Sequence, residues 1–221
     1  MGDINLLAQH WTQLIAAVGG LGTAAFGLVD ASKPVFPFIN NIGFDGISTT
    51  VKSVTPGIGG GMRQADVLET LRANWRNGTD LGSQKAIAKT LIKLHLTAGN
   101  APAVAAVTSL DPATLTSAAT NLASGTPLSQ AESDLYARLD LILTAMLDQT
   151  YQESDMHYRN WTRFLAMIYA LILAGAAGSI VQVGWSVRFV VGLLATPLAP
   201  IAKDLSTALA AAVNTLQLAK K

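Results

Sequence analysis

The chain has 221 residues, half of them apolar, yet only 13% are Asp, Glu, Lys or Arg, against roughly 25% in ordinary soluble domains. That combination excludes disorder, which needs low hydrophobicity and high charge. Zero cysteines exclude disulfides, thiolate metal sites and cysteine nucleophiles, and a net charge of +1 gives no basic footprint for nucleic acid.

The missing charge is concentrated. Residues 4–29 contain no Asp, Glu, Lys or Arg, and Thr12 to Val29 reaches the length of about 18 residues expected of a membrane span. Residues 1–32 therefore read as an N-terminal segment carrying a first transmembrane helix. Met1 to Trp11 holds Asp3 but no Lys or Arg, so the basic start of a secretory signal is missing. Small residues run along the span in two rows, Ala16, Gly20 and Ala24 in one and Gly19, Thr23 and Gly27 in the other. Such spacing lets helix backbones approach closely in lipid, so these six are expected to carry helix packing.

Residues 33–61 are rich in proline, glycine and large apolar side chains. Ile47, Val51 and Val54 are spaced for one amphipathic turn. Directly after a span, the segment fits either the inner membrane interface or a loop packed on its own domain. Gly57 to Gly61 is not followed by the Lys-Ser/Thr of a phosphate loop and reads as a flexible hinge.

Residues 62–128 form a helical domain by pattern. One helix is expected from Met62 to Arg76, with Val67, Leu68, Leu71 and Trp75 inward. A second is expected from Ser83 to Thr97, with Ile87, Leu91 and Leu94 inward. Its Lys85, Lys89 and Lys93 share a face, which is either solvated or in contact with anionic lipid or an acidic protein surface. Ala103 to Thr108 adds a further turn or short helix. Asp111-Pro112 opens another helix, as N-cap and first helical residue, which ends near Gly125.

Residues 129–183 carry the longest pattern. Ser129 to Glu132 is a capping box, and Leu128 to Ala174 holds neither proline nor glycine. One helix from Gln130 to Val183 follows, with a short seam at Leu135, Leu139, Ile142 and Met146. Its second half enters the uncharged stretch 164–187, bracketed by Trp161 and Trp185 as interfacial anchors. Ala170, Ala174 and Gly178 align there, beside Gly175, and are expected to pack against other helices.

Residues 184–221 read as a tight turn, a third membrane helix and an amphipathic C-terminal helix. The apolar run 189–202 has 14 residues, about 21 Å of helix and short of a hydrocarbon core of about 30 Å. Lys203 and Asp204 at its end are candidates to line a vestibule. Lys and Arg flanking the spans number seven on one side and one, Arg188, on the other. The N-terminus is therefore expected outside, with the central domain and C-terminus cytoplasmic.

No catalytic, cofactor or metal site emerges. His10, His95 and His157 are far apart, Glu153, Asp155 and His157 alternate at i, i+2 spacing, which does not share a helix face, and no nucleophile motif is present. The first two spans hold no ionisable residue from their own sequence, so a transport path would have to form between subunits. Residues 60–100 are net basic and residues 101–157 net acidic, which suits pairing within a chain or between copies. The expected protein is an all-α integral membrane protein of the cell membrane, with two or three transmembrane helices and a helical cytoplasmic domain. The expected role is a homo-oligomeric scaffold in the lipid bilayer, without cofactor or nucleic acid. The alternatives are an oligomeric channel and, less supported, a membrane-surface enzyme.

Overall fold

Helix-forming residues dominate the chain, and its Gly, Pro and Asp residues punctuate it into helices. The computed structural model describes residues 2–59, 61–182 and 184–199, with side chains from Ile15 onward except at Ile58 and Gly59. Eight α-helices lie among the described residues. They are α1 (Gly2–Ser32), α2 (Phe44–Val54), α3 (Gln64–Arg76), α4 (Leu81–His95), α5 (Ala101–Thr108), α6 (Pro112–Ser124), α7 (Gln130–Ile180) and α8 (Trp185–Ala199). Strands β1 (Ile58–Gly59) and β2 (Met62–Arg63) pair antiparallel between α2 and α3. Among the described residues the chain divides into two units, an apolar unit within 2–37 and 159–199 and a helical body within 38–158. Helix α7 has residues in both.

The body has its own core. Phe44, Ile47, Val51 and Val54 of α2 meet Val67 and Leu71 of α3, Ile92 of α4, Leu115 of α6 and Leu139, Leu143, Leu147 and Tyr151 of α7. Local chemistry sets the helix ends. Asp80 accepts from the N–H groups of Gly82 and Ser83 at the start of α4, and Asp111 accepts from Thr114 N–H at 2.7 Å at the start of α6. Gly125, at φ 72°, closes α6 in the left-handed conformation that glycine tolerates best.

The capping box of α7 does more than end a helix. Glu132 accepts from the Ser129 N–H at 2.8 Å and the Ser129 hydroxyl at 2.9 Å. It also accepts from the Ser117 hydroxyl and from Asn121 Nδ2, both on α6. One carboxylate therefore ties α6 to the start of α7. The Ser117 hydroxyl and the Ser129 N–H, foremost among these donors, hold its carboxyl down at about 2.

Several expectations need correction. The apolar face of α2 is buried in the body core, so Ile47, Val51 and Val54 are not held for a membrane interface. Val35, Phe36 and Phe38, just before it, remain exposed. Where a flexible hinge was expected, Ile58–Gly59 and Met62–Arg63 pair antiparallel, with Gly57 and Gly61 at φ 70° and 74°, and Met62 and Arg63 therefore precede α3. In α4 the buried row is Gln84, Ala88, Ile92 and His95, while Leu94 is exposed. Ile87 and Leu91 of the expected stripe are half-buried against the core, and only Leu94 turns outward, because the buried row is completed by Gln84, which donates to the Thr79 carbonyl, and by His95, which Asn100 holds. In α7 the buried row is Leu139, Leu143, Leu147 and Tyr151. The expected seam residues Leu135, Ile142 and Met146 are half-buried against the same core, so the inward face is broader than a coiled-coil seam because α7 packs on a globular body. The helix stops at Ile180, and Gln182 adopts φ 54°. The residues beyond Ala199, including the expected C-terminal helix, lie outside the described residues.

Candidate functional site

The apolar unit has small residues inside and large ones outside. Ala25 of α1, Ala166 and Ala170 of α7 and Ala195 of α8 are fully buried. Ile172, Ile180 and Trp185 are 60%, 85% and 76% exposed. A water-soluble bundle sorts its side chains the other way, because burying large apolar side chains drives its folding. The contacts are close. A Cβ on Gly22 would lie 2.0 Å from the Ala195 carbonyl oxygen, and one on Gly192 would lie 2.8 Å from the Leu171 side chain. Two helices, α1 and α7, are long and apolar enough by length and composition to cross a bilayer, whereas α8 has 15 described residues.

The small residues singled out in the sequence divide between two environments. In α7, Ala170, Ala174 and Gly178 are buried and Gly175 is half-buried. In α1, Gly19 is buried, but Ala16, Gly20, Thr23, Ala24 and Gly27 are exposed. Nothing lies within 4 Å of where a Cβ on Gly20 or Gly27 would stand. The buried face of α1 is instead Gly19, Gly22, Ala25 and Val29. Its steps of 3, 3 and 4 are a helical row that a search for i+4 repeats passes over.

The lysine row lies half-buried against the acidic residues of α7. Lys85 Nζ stands 2.5 Å from Asp148, Lys89 Nζ 3.0 Å from Asp140, and Lys93 Nζ 2.9 Å from the same carboxylate. Helix α4 is thereby pinned along α7 within one chain, the pairing that the opposite net charges of residues 60–100 and 101–157 suit. Burial works against the charge on Lys93, but its hydrogen bond to Asp140 and the neighbouring Tyr136 outweigh it, so its pKa rises. The two lysines, Lys93 first, hold the Asp140 carboxyl below its usual range. Asp140→Asn is expected to lower the stability of the body by about 1 kcal/mol, since part-exposed pairs are individually weak. Thermal melts at low and high salt check this, and the difference from wild type should shrink at high salt.

The His95 ring is fully buried in the body. Asn100 fixes it: Oδ1 accepts from Thr97 N–H at 2.8 Å, and Nδ2 donates to the His95 carbonyl at 2.7 Å and lies 3.2 Å from Nδ1. Nδ1 must then accept, which places the proton on the buried Nε2. Burial pushes the imidazole pKa down, with the Gly57 backbone opposing. The unfolded chain therefore takes up a proton first as pH falls below about 6.5. Stability is full above that value and declines towards the lower folded pKa. Melting temperature should fall between pH 7 and pH 5, and His95→Phe should flatten that part of the profile. Tyr151 buries its hydroxyl without a partner, and burial raises its pKa.

A polar recess of about 520 Å³ opens between α2 and α7, lined by Asp45, Thr49, Thr50, Glu153 and His157 among others. Gly43 and Gly46 allow α2 to approach Ser154 there, and Thr50 and Thr150 share a hydrogen bond at 2.9 Å. Among the described residues no group of three or more His, Asp or Glu converges as metal ligands. Lys203 and Asp204, named as vestibule candidates, lie outside the described residues. Comparison with family models, with curated proteins and with solved structures yielded no match.

Proposed function

We propose that this chain is a multi-pass membrane protein whose apolar unit sits in the bilayer and carries the helical body on the cytoplasmic side, as a homo-oligomeric scaffold without catalytic chemistry. One observation carries the reading: the apolar unit buries alanine and glycine and exposes isoleucine, phenylalanine and tryptophan. Lipid rewards that arrangement, because close backbone packing holds helices together where the hydrophobic effect does not. The body has the ordinary water-facing arrangement, with its large apolar side chains in one core. The exposed row Ala16, Gly20 and Ala24 supports association between copies, since it is a second face of the same close-packing type.

Membranes from cells making the full chain test this reading. After alkaline carbonate washing the protein should stay in the pellet, and in mild detergent its mass should exceed the 23.1 kDa of one chain. Gly20→Leu should reduce that mass to a single chain. Release by carbonate would overturn the membrane placement, and a monomer in every mild detergent would overturn the scaffold.

A further inference from the structure

Residues 164–202 contain one charged residue, Arg188, and the α7–α8 hairpin builds a seat for it. The arginine stem crosses Gly178, where a Cβ would come within 2.5 Å of its Cγ. Nη1 donates to Ser179 Oγ at 3.0 Å, and that hydroxyl donates to the Gly175 carbonyl at 2.8 Å. The guanidinium carbon stands 6.0 Å from the centre of the Trp185 ring. Beside it runs a groove of about 430 Å³, walled by Leu171, Ile172, Ala176 and Phe189. Its floor is open at Gly175, where nothing lies within 4 Å of a Cβ position. The arginine is part-exposed at the head of this groove.

We propose that the groove binds one phospholipid, with the phosphate on the Arg188 guanidinium and an acyl chain lying over Gly175 between Ile172 and Phe189. The proposal rests on the membrane reading of the apolar unit. Charge and shape together choose the occupant: a single cation at one end of an apolar channel matches an amphiphile with one anionic end. The guanidinium is planar and permanently charged, a fork that suits phosphate oxygens. Trp185 stands where an interfacial indole meets the headgroup level. An anionic headgroup is favoured over a zwitterionic one, because the latter brings a second cation towards Arg188. Gly178 and Ser179 are positioning residues that set the guanidinium.

Native mass spectrometry of the detergent-purified full chain, given phosphatidylglycerol or phosphatidylcholine, tests this. Wild type should retain phosphatidylglycerol about tenfold better than phosphatidylcholine, a difference of one ordinary charge-assisted contact. Arg188→Gln should lower phosphatidylglycerol occupancy about tenfold, with Arg188→Lys between the two. Gly175→Leu should lower occupancy by both lipids, since it fills the groove without meeting a neighbour at its Cβ. Inorganic phosphate should not displace the lipid. Equal phosphatidylglycerol occupancy in wild type and Arg188→Gln would overturn the site, as would displacement by phosphate. Carbonate washing of the same membranes separates the two readings. A wild-type chain that washes off loses the membrane placement, whereas a chain that stays but binds lipid indifferently to both variants loses only the groove.

Discussion

Gly22→Leu should separate α1 from α8 and destabilise the apolar unit by about 3 kcal/mol, the upper end of what overpacking costs. The reason is backbone, not side chain. A Cβ at Gly22 would stand 2.0 Å from the Ala195 oxygen, 2.7 Å from its carbonyl carbon and 2.9 Å from Ala199 Cβ. A flexible side chain could swing aside, but a helix backbone must move as a whole. A glycine on the same helix is the control. Gly27 faces open space, so its leucine variant should stay within about 0.5 kcal/mol of wild type. Thermal unfolding of each variant in detergent measures the contrast. Equal losses at Gly22 and Gly27 would mean that α1 does not pack on α8 through this face.

Leu143→Ala should cost the body about 3 kcal/mol, within the range of roughly 2–5 kcal/mol measured for leucine truncation in close-packed cores. Leu143 is 1% exposed and belongs to the cluster that joins α7 to the rest of the body. Leu141, two residues earlier, is 69% exposed. Its alanine variant should change stability by less than about 0.5 kcal/mol. The pair tests the rotational setting of α7 in the body, and the expectation of an inward seam through Leu135, Leu139, Ile142 and Met146 gives a different ranking. Under that seam Ile142→Ala would outweigh Leu143→Ala.

These two results bear on what could be read from the sequence. Element type was legible wherever a local rule determines it. Asp111-Pro112 announces α6, Ser129 and Glu132 announce α7, and the absence of proline and glycine after Leu128 announces its length. Helix rotation was less legible, because it depends on partners far along the chain. Asn100 is what makes His95 a buried residue, and Asp140 and Asp148 are what turn the lysine row inward. Neither relation has a local spacing signal. The net charges of residues 60–100 and 101–157 did point to pairing, and the fold realises it within the chain. On α1 the glycines drew attention as a class, but the two rows chosen by i+4 spacing omit Gly22, whose partner is the Ala195 backbone. The pairing of Ile58–Gly59 with Met62–Arg63 was hidden for a similar reason: five residues with four glycines read as flexible until a partner strand is in place.

The most direct test of the membrane placement uses the absence of cysteine from the chain. Ile172→Cys and Leu141→Cys each put one thiol at an exposed position, 60% and 69% respectively, the first in the apolar unit and the second in the body. Both should be made in the full chain, in native membrane vesicles opened to both sides, and treated with a charged, water-soluble maleimide. The account predicts rapid labelling at position 141 and almost none at position 172 until detergent or denaturant is added. Equal labelling at both positions in intact bilayers would contradict it, since an isoleucine face bathed in water cannot be the face that holds this protein in a membrane.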